Sequence, residues 1–477
     1  MRQSFLFRRR SARAIVSTQI FFAEIWLVDF WKFRYYSLYA ININLPDARL
    51  NRRYFSLVKG HLQQATTTTT GVAVPAGVAN ALSVTQATWR FLDNDRVTPG
   101  ALVAPLQEFA REQLGDARYV LSIFDWSKLD YKTHTAKKDV TQISHGKDIG
   151  YELTTQLLVS AEHGRPIAPI QMHLKTATGI LSTLETPPAA AEAHLDQIAP
   201  LMRATDTMQL SAKVVHLIDR EGDSVFHYRQ WNVGGFLFLV RSKDRLVHWQ
   251  GRLMRCSEVE KRLDKEEEFT RSRVVSFKGK PAIQYVAETE VALRRPARRK
   301  KSGRSIVIAG EALTLRLVIA RVVDPVSGEI LSTWYLLTNV LSDVSAERIA
   351  LWYYWRWEIE SYFKLMKSGG QQLEHWQQES GSAILKRLLV ASMACSVVWS
   401  LQTSNDAESE AFKAVLVRLS GRRVKRDSPP TPGVLLKGLF VLLQMFDFLT
   451  YIDGDVSKID KLKATLRKMM PGIYRDG

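Results

Sequence analysis

The chain has 477 residues, a length suited to two or three domains of about 100–200 residues each. Hydrophobic residues make up 46%, which supports a sizeable core and argues against wholesale disorder. The formal net charge of +18 favours a polyanionic partner, either nucleic acid or an anionic membrane surface, with a soluble protein that is simply basic as the plain alternative.

Two cysteines, Cys256 and Cys395, lack CxxC spacing and a histidine cluster. A disulfide framework or zinc site is therefore not expected, and a reducing cytoplasm fits. No run of about 18 uncharged apolar residues occurs. The apolar stretch Ile15–Trp31 carries Glu24 and Asp29, and Gly433–Ile452 carries Lys437 and Asp447. The second reads as a buried helix, so nucleic acid is the favoured partner over membrane.

Residues 1–45 are rich in Phe, Trp, Tyr and Arg without a clean period. They read either as an appendage or as sequence upstream of the true start. Residues 46–115 alternate helical patterns with small-residue loops, and place Arg49, Arg52 and Arg53 on one predicted helix and Arg90 on another, separated by a Thr-rich loop at Thr66–Thr70. Scattered arginines on small helices suit DNA backbone contact, and equally suit a solvated helix face. Residues 116–240 read as strands: Tyr119–Phe124, Tyr151–Ser160, Pro169–Leu174, Val214–Ile218 and Phe236–Val240. Residues 241–340 read as a strand-rich insertion, with candidates at Val274–Phe277, Ala282–Glu288, Leu313–Val322 and Thr333–Leu337. The stretch Arg294–Arg304 holds seven Lys or Arg in eleven residues. Residues 345–400 are strongly helical, Arg422–Pro432 reads as a linker, and residues 433–477 read as two helices.

Two carboxylates close apolar runs: Asp125 in IFDWS and Asp219 in LIDREGD. Reactive groups gather at the carboxyl ends of strands in open sheets, although a lone strand-end Asp is more often a turn former. A third carboxylate, Glu360, falls on a helix predicted from Ala346 to about Ser368. At about 100° per residue, Tyr353, Arg356, Glu360 and Lys367 share a stripe about 60° wide. An i,i+4 ion pair of Arg356 with Glu360 explains two of these residues but not Tyr353 or Lys367. Cations around one carboxylate suit a phosphate-binding face beside a metal ligand. Three carboxylates are hard oxygen donors, suited to Mg²⁺ or Mn²⁺ rather than zinc.

The segments IFDWS, VVHLIDREGD and Tyr353-x2-Arg356-x3-Glu360-x6-Lys367 resemble those of DDE transposases of bacterial insertion sequences. More narrowly they are similar to the IS-four type, the group containing the transposon-five transposase, whose YREK signature the last pattern matches at all four positions. The resemblance runs from about Leu45 to about Ser400. Asp125 and Asp219 lie 94 residues apart and Glu360 a further 141 on, a long second gap that matches the family's strand insertion.

The resemblance implies an α/β, ribonuclease H-like mixed-sheet core with a β insertion, flanked by helical N- and C-terminal regions. It implies that Asp125, Asp219 and Glu360 hold two divalent ions, Mg²⁺ with Mn²⁺ able to substitute. The activity it implies is cut-and-paste transposition: a nick frees a 3′-OH, a hairpin forms and opens, and the 3′-OH joins target DNA. Implied contacts with double-stranded DNA are Tyr353, Arg356, Lys367, Arg241 and Lys243. Trp334 would stack on a flipped base, with a buried strand tryptophan as the plain alternative. Arg49, Arg53 and Arg90 would read the terminal inverted repeat. Paired ends imply a homodimer, with residues 401–477 as a dimerisation region, acting in the bacterial cytoplasm at the nucleoid. Two competing readings are a DNA-binding remnant that no longer cuts, and another ribonuclease H-like nuclease such as a junction resolvase. The chain's length and strand insertion disfavour the resolvase.

Overall fold

The computed structural model describes residues 43–63, 81–189, 194–301, 304–424 and 428–451. The extension 1–42, the Thr-rich loop and the second C-terminal helix expected beyond residue 451 lie outside the described residues.

Three helices come first: α1 (Ala48–Gln63), α2 (Ala81–Leu92) and α3 (Pro99–Leu114). Tyr54, Leu57, Val58, His61 and Leu62 of α1 are buried at helical spacing, which turns Arg49 and Arg52 outward. Thr98 caps α3 by accepting from the Ala101 amide at 3.2 Å.

The chain then enters a large mixed sheet. β1 (Tyr119–Asp130) runs through its centre, with β2 (Thr141–Gln142), β3 (Ile149–Ser160), β4 (Pro166–Thr176) and β5 (Gly179–Ser182) following on one side. After α4 (His194–Thr207), β6 (Lys213–Ile218) returns on the other side of β1 and runs parallel to it. α5 (Val225–Val233) leads to β7 (Leu237–Ser242), again parallel to β6. β1, β3 and β6 read as near-continuous apolar runs because helices cover both faces of the sheet there.

The strand-rich region continues that same sheet. β8 (Leu246–Trp249), β9 (Arg252–Arg255) and α6 (Cys256–Lys265) precede β10 (Thr270–Phe277) and the long β11 (Lys280–Leu293). A separate hairpin, β12 (Ala297–Lys301) with β13 (Arg304–Ile308), carries the basic run. β14 (Leu313–Val323) and β15 (Ile330–Thr338) then bring the chain back, and β15 pairs antiparallel with β7. The thirteen-stranded path runs β5-β4-β3-β1-β6-β7-β15-β14-β11-β8-β9, with β2 and β10 paired alongside.

The predicted single helix from Ala346 to Ser368 is not one helix. It forms α7 (Ala346–Trp355), α8 (Glu358–Lys364) and a wide π turn over Leu365–Gly369. Backbone bonds from Arg356 N to Tyr353 O (3.1 Å) and from Ile359 N to Arg356 O (3.3 Å) replace the i→i+4 ladder at the break. Five aromatics crowd Trp352–Trp357, a composition with poor helix propensity. α9 (Gly381–Thr403), α10 (Ala407–Ser420) and α11 (Pro432–Tyr451) complete the described fold. α10 occupies part of the region expected to lead into a linker.

α9 is long and apolar enough to cross a membrane by length and composition, but 89% of its most apolar window is buried inside the protein. It packs against α1, α3 and β4, so these elements and much of α7–α11 share one hydrophobic core. A second core lies around α4, α5 and α6.

Gly164, in the β3–β4 turn, has φ +67°, and a Cβ there would strike the Trp355 ring at the end of α7. Gly328 has a similar φ of +72° but open space around it. Gly164→Ala should therefore lower stability by about 1–3 kcal/mol, and Gly328→Ala by the backbone strain alone, about 1 kcal/mol. Denaturant unfolding of both variants checks this; equal losses would show that the Trp355 contact is irrelevant.

Candidate active site

Between β1 and β6 the parallel register pairs Tyr119 with Lys213 and Ile123 with Leu217, a constant offset of 94 residues. Asp125 and Asp219 keep that offset. Asp219 directly follows β6, and the same offset carried two residues past the last pair puts it opposite Asp125; neighbouring strands are about 4.8 Å apart. Asp125 is not at the end of its strand, as the apolar run suggested. β1 continues to Asp130 because β3 pairs with it along its whole length, down to Asp130 opposite Gly150. What ends near Asp125 is the pairing with β6, whose last partner is Leu217.

After β6 the backbone of Asp219 is still extended, and it caps a short turn at Arg220–Gly222 by accepting from the Glu221 amide at 2.8 Å. Asp125 accepts from the Trp126 amide at 2.8 Å. Each carboxylate is thus oriented by its own backbone.

Glu360 lies in the first turn of α8, just after the break from α7. Arg356 joins it to the sheet: Nη1 donates to Asp125 Oδ2 at 3.2 Å and Nη2 donates to Glu360 Oε1 at 3.1 Å. The i,i+4 pair weighed from sequence is present, and the same guanidinium also reaches the first strand carboxylate. Burial pushes the Asp125 carboxyl above its usual range; Arg356 and the Trp126 amide oppose this, while Asp219 and Glu360 add to it. Burial works against the Arg356 charge, but Tyr353 and the three carboxylates outweigh it and hold the guanidinium protonated. One cation thus counterbalances three acids.

Tyr353 is 3% exposed and packs edge-on against Trp334, with ring centroids 5.4 Å apart. Burial pushes its phenol up to about 12, against the pull of Arg356 and Arg241. Arg241 lies over the Trp334 ring at 6.0 Å. Trp334, Tyr353, Arg241 and Arg356 therefore form one layered group beside the carboxylates, with Tyr353 inside it rather than on the surface. Lys243 is exposed at the end of β7. Lys367 is on the π turn, where it pairs with Glu374 at 3.2 Å and donates to the Lys128 carbonyl on β1. Arg49, ion-paired with Asp47, and Arg90 are exposed, and Arg53 is half-exposed, on the N-terminal helices, apart from this group in sequence and element.

Three contributors were not singled out from sequence. Trp357 is 52% exposed, with Arg356 5.6 Å from its ring centre. Asp223, inside the LIDREGD segment, is a buried acceptor for the Tyr228 hydroxyl (2.9 Å), the Lys243 amide (2.9 Å) and the Arg245 guanidinium. His194 stacks on Trp126 at 5.0 Å, bonds Glu152 at 2.8 Å and approaches Glu221 at 4.0 Å, bracing the turn that follows Asp219. Trp357 and Asp223 adjoin or lie inside the motifs, whereas nothing in the sequence signalled His194.

Among the described residues no three His, Cys, Asp or Glu side chains stand close enough together to hold a metal ion. The Arg356 guanidinium occupies the space between Asp125 and Glu360. In donor chemistry the set fits a hard divalent cation: carboxylate oxygens, one of them raised by burial and like charge, a cost that a cation relieves.

No family model and no curated protein matches the chain. Among solved structures, it is similar to a piggyBac transposase in a synaptic complex with hairpin DNA, solved by cryo-EM. The likeness covers 90% of this chain and 77% of that one at 10% identity, with a TM-score of 0.34. A likeness of that size fixes neither fold nor chemistry.

The hydrogen bond to Glu152 raises the His194 pKa above its ordinary value. Burial raises Glu152, but the bond from His194 outweighs it and leaves that carboxyl low. The pair's stabilisation is therefore fully present between the ordinary values of the two groups, about 4.3 and 6.5. It fades as pH rises through the elevated His194 pKa. His194→Gln should accordingly lower Tm most near pH 6 and progressively less at alkaline pH. Melting curves across pH check this, and a Tm difference independent of pH would exclude the ion pair.

Proposed function

We propose that this protein is a DDE-type DNA transposase with a ribonuclease H-like core, cutting and joining DNA as a homodimer on paired transposon ends. The observation that carries the reading is the parallel β1–β6 register, whose 94-residue offset Asp125 and Asp219 share, with Arg356 bonded to both Asp125 and Glu360. Carboxylates from three separated segments lie near one another around Arg356, beside a basic, aromatic layer. A structural ion pair needs only one of them.

On this reading Asp125, Asp219 and Glu360 would hold two Mg²⁺ ions, with Mn²⁺ as a substitute. Bound there, the ions would supply activation of an attacking oxygen and stabilisation of a leaving one in in-line phosphodiester displacement. The protein's own part is positional. The β1–β6 register and the Trp126 and Glu221 amides aim two carboxylates, and the α7–α8 break presents the third. Arg356 offsets part of the charge of the set through Asp125 and Glu360, and its fork is suited to a phosphate. Trp334 offers a half-buried aromatic face next to Arg241 for an unstacked base. Arg49, Arg53 and Arg90 are proposed to grip the terminal repeat, with Lys243 and Lys367 on the backbone nearer the cut.

The direct test is a labelled duplex bearing the element's own end, incubated with purified protein and Mg²⁺ and resolved on a denaturing gel. Nicked and hairpin products are expected, absent with EDTA and in Asp125→Asn, Asp219→Asn and Glu360→Gln. Binding without any cutting by the wild type would mark a DNA-binding remnant.

Arg356→Ala removes the only guanidinium bonded to these carboxylates among the described residues. Without metal it should destabilise the fold by about 1–3 kcal/mol, less than the roughly 3–5 kcal/mol of a fully buried broken pair, because the Glu360 side chain remains 42% exposed. Mg²⁺ should then raise its Tm more than it raises that of the wild type, since the cation replaces lost counter-charge. Equal Mg²⁺ shifts in the two proteins would count against metal binding at these carboxylates.

A further inference from the structure

We infer that a second cavity, beside but distinct from the carboxylate site, binds phosphate groups. The cavity is about 680 Å³ and opens between the start of α5, the β8–β9 hairpin and the segment leading into β12. Its charged lining is four arginines, Arg245, Arg255, Arg294 and Arg295, against one carboxylate, Asp223. Asp223 is already saturated by Tyr228, the Lys243 amide and Arg245, so it holds Arg245 in place rather than repelling an anion.

Two buried polar atoms on the lining residues have no partner, Nε of Arg245 and Nδ1 of His248. Buried polar groups are nearly always satisfied, and the Arg245 Nε–H, a donor only, lacks an acceptor in this arginine-lined cavity. Arg229 pins the cationic wall from behind: its Nη2 donates to the carbonyls of Leu293 and Arg295, each at 3.2 Å. Arg294 and Arg295 are exposed and open the basic run that continues through the β12–β13 hairpin. Guanidinium forks with few competing carboxylates recognise phosphate esters, and a cavity of this volume suits a nucleotide-sized ligand.

The source of the phosphates follows from continuity. Asp219 and Asp223 are the two ends of one turn, so a strand lying against Asp219 continues past Asp223 into the cavity. The assignment to DNA rests on the transposase reading; the phosphate chemistry does not.

The test uses the full-length protein in EDTA, which separates binding from cutting. Titrate it calorimetrically with tripolyphosphate and with ATP, and by fluorescence anisotropy with a short labelled duplex, beside the exposed-site double variant Arg294→Gln/Arg295→Gln. Losing two charge-assisted contacts should weaken tripolyphosphate at least about tenfold. Duplex binding should weaken too, with a salt slope shallower by about 2. Unchanged tripolyphosphate affinity in a variant with a wild-type circular dichroism spectrum and Tm would overturn the proposal. Weakened tripolyphosphate and ATP with unchanged duplex binding would keep the phosphate site and overturn DNA as its source. Failure of the cleavage assay with these binding losses intact would sink the nuclease reading alone.

Discussion

Everything at the candidate site depends on one backbone constraint, the parallel pairing of β1 with β6. Parallel strands joined by a long crossover have no turn to set their register, so the buried pattern of both faces must set it. Val120, Leu121 and Ile123 on one strand, and Val215, Leu217 and Ile218 on the other, are all fully buried. A slip of one residue would turn these side chains to the wrong faces and separate Asp125 from Asp219 by a pleat. The core residues that look like mere packing therefore fix the spacing of the acids.

The second constraint is electrostatic. Asp219 and Glu360 repel the half-buried Asp125 carboxylate, and Arg356, bonded to Asp125 and Glu360, offsets that repulsion. Between α7 and α8 the backbone bonds tighten to i→i+3, and across that break one guanidinium and one carboxylate four residues apart face each other, with Tyr353 packed against Trp334 beside them.

Much of this was legible in the sequence. The strands at Tyr119, Tyr151, Val214 and Leu313 announced themselves as apolar runs, and the three acids stood out by motif and spacing. Asp125 looked strand-terminal because apolarity stops there, yet pairing with β3 carries the strand on through polar residues, which no single-strand pattern reveals. The even helical wheel over Tyr353–Lys367 failed for a related reason: periodicity assumes 3.6 residues per turn throughout, and this segment runs tight and then wide. Asp223 and His194 were not legible because their partners, Arg245 and Glu152, come from other elements.

The buried helix α9 joins the N-terminal helices to the segment that follows α8. Its Lys386 donates to the Asn94 carbonyl at 3.0 Å, and its Arg387 lies 4.2 Å over Trp376 and bonds Gln378 at 2.9 Å. His61 of α1, 2.7 Å from Gln371, joins the same assembly. The N-terminal helices thus complete their core only against residues made some three hundred positions later. During synthesis they emerge long before their packing partner, and non-local contacts of this kind form late. A nascent chain stopped before α9 would carry the arginines of α1 and α2 without the scaffold that orients them. The arginine-bearing faces of α1 and α2 thus owe their orientation to residues at the far side of the sequence, and a substitution in α9 reaches them through that shared core.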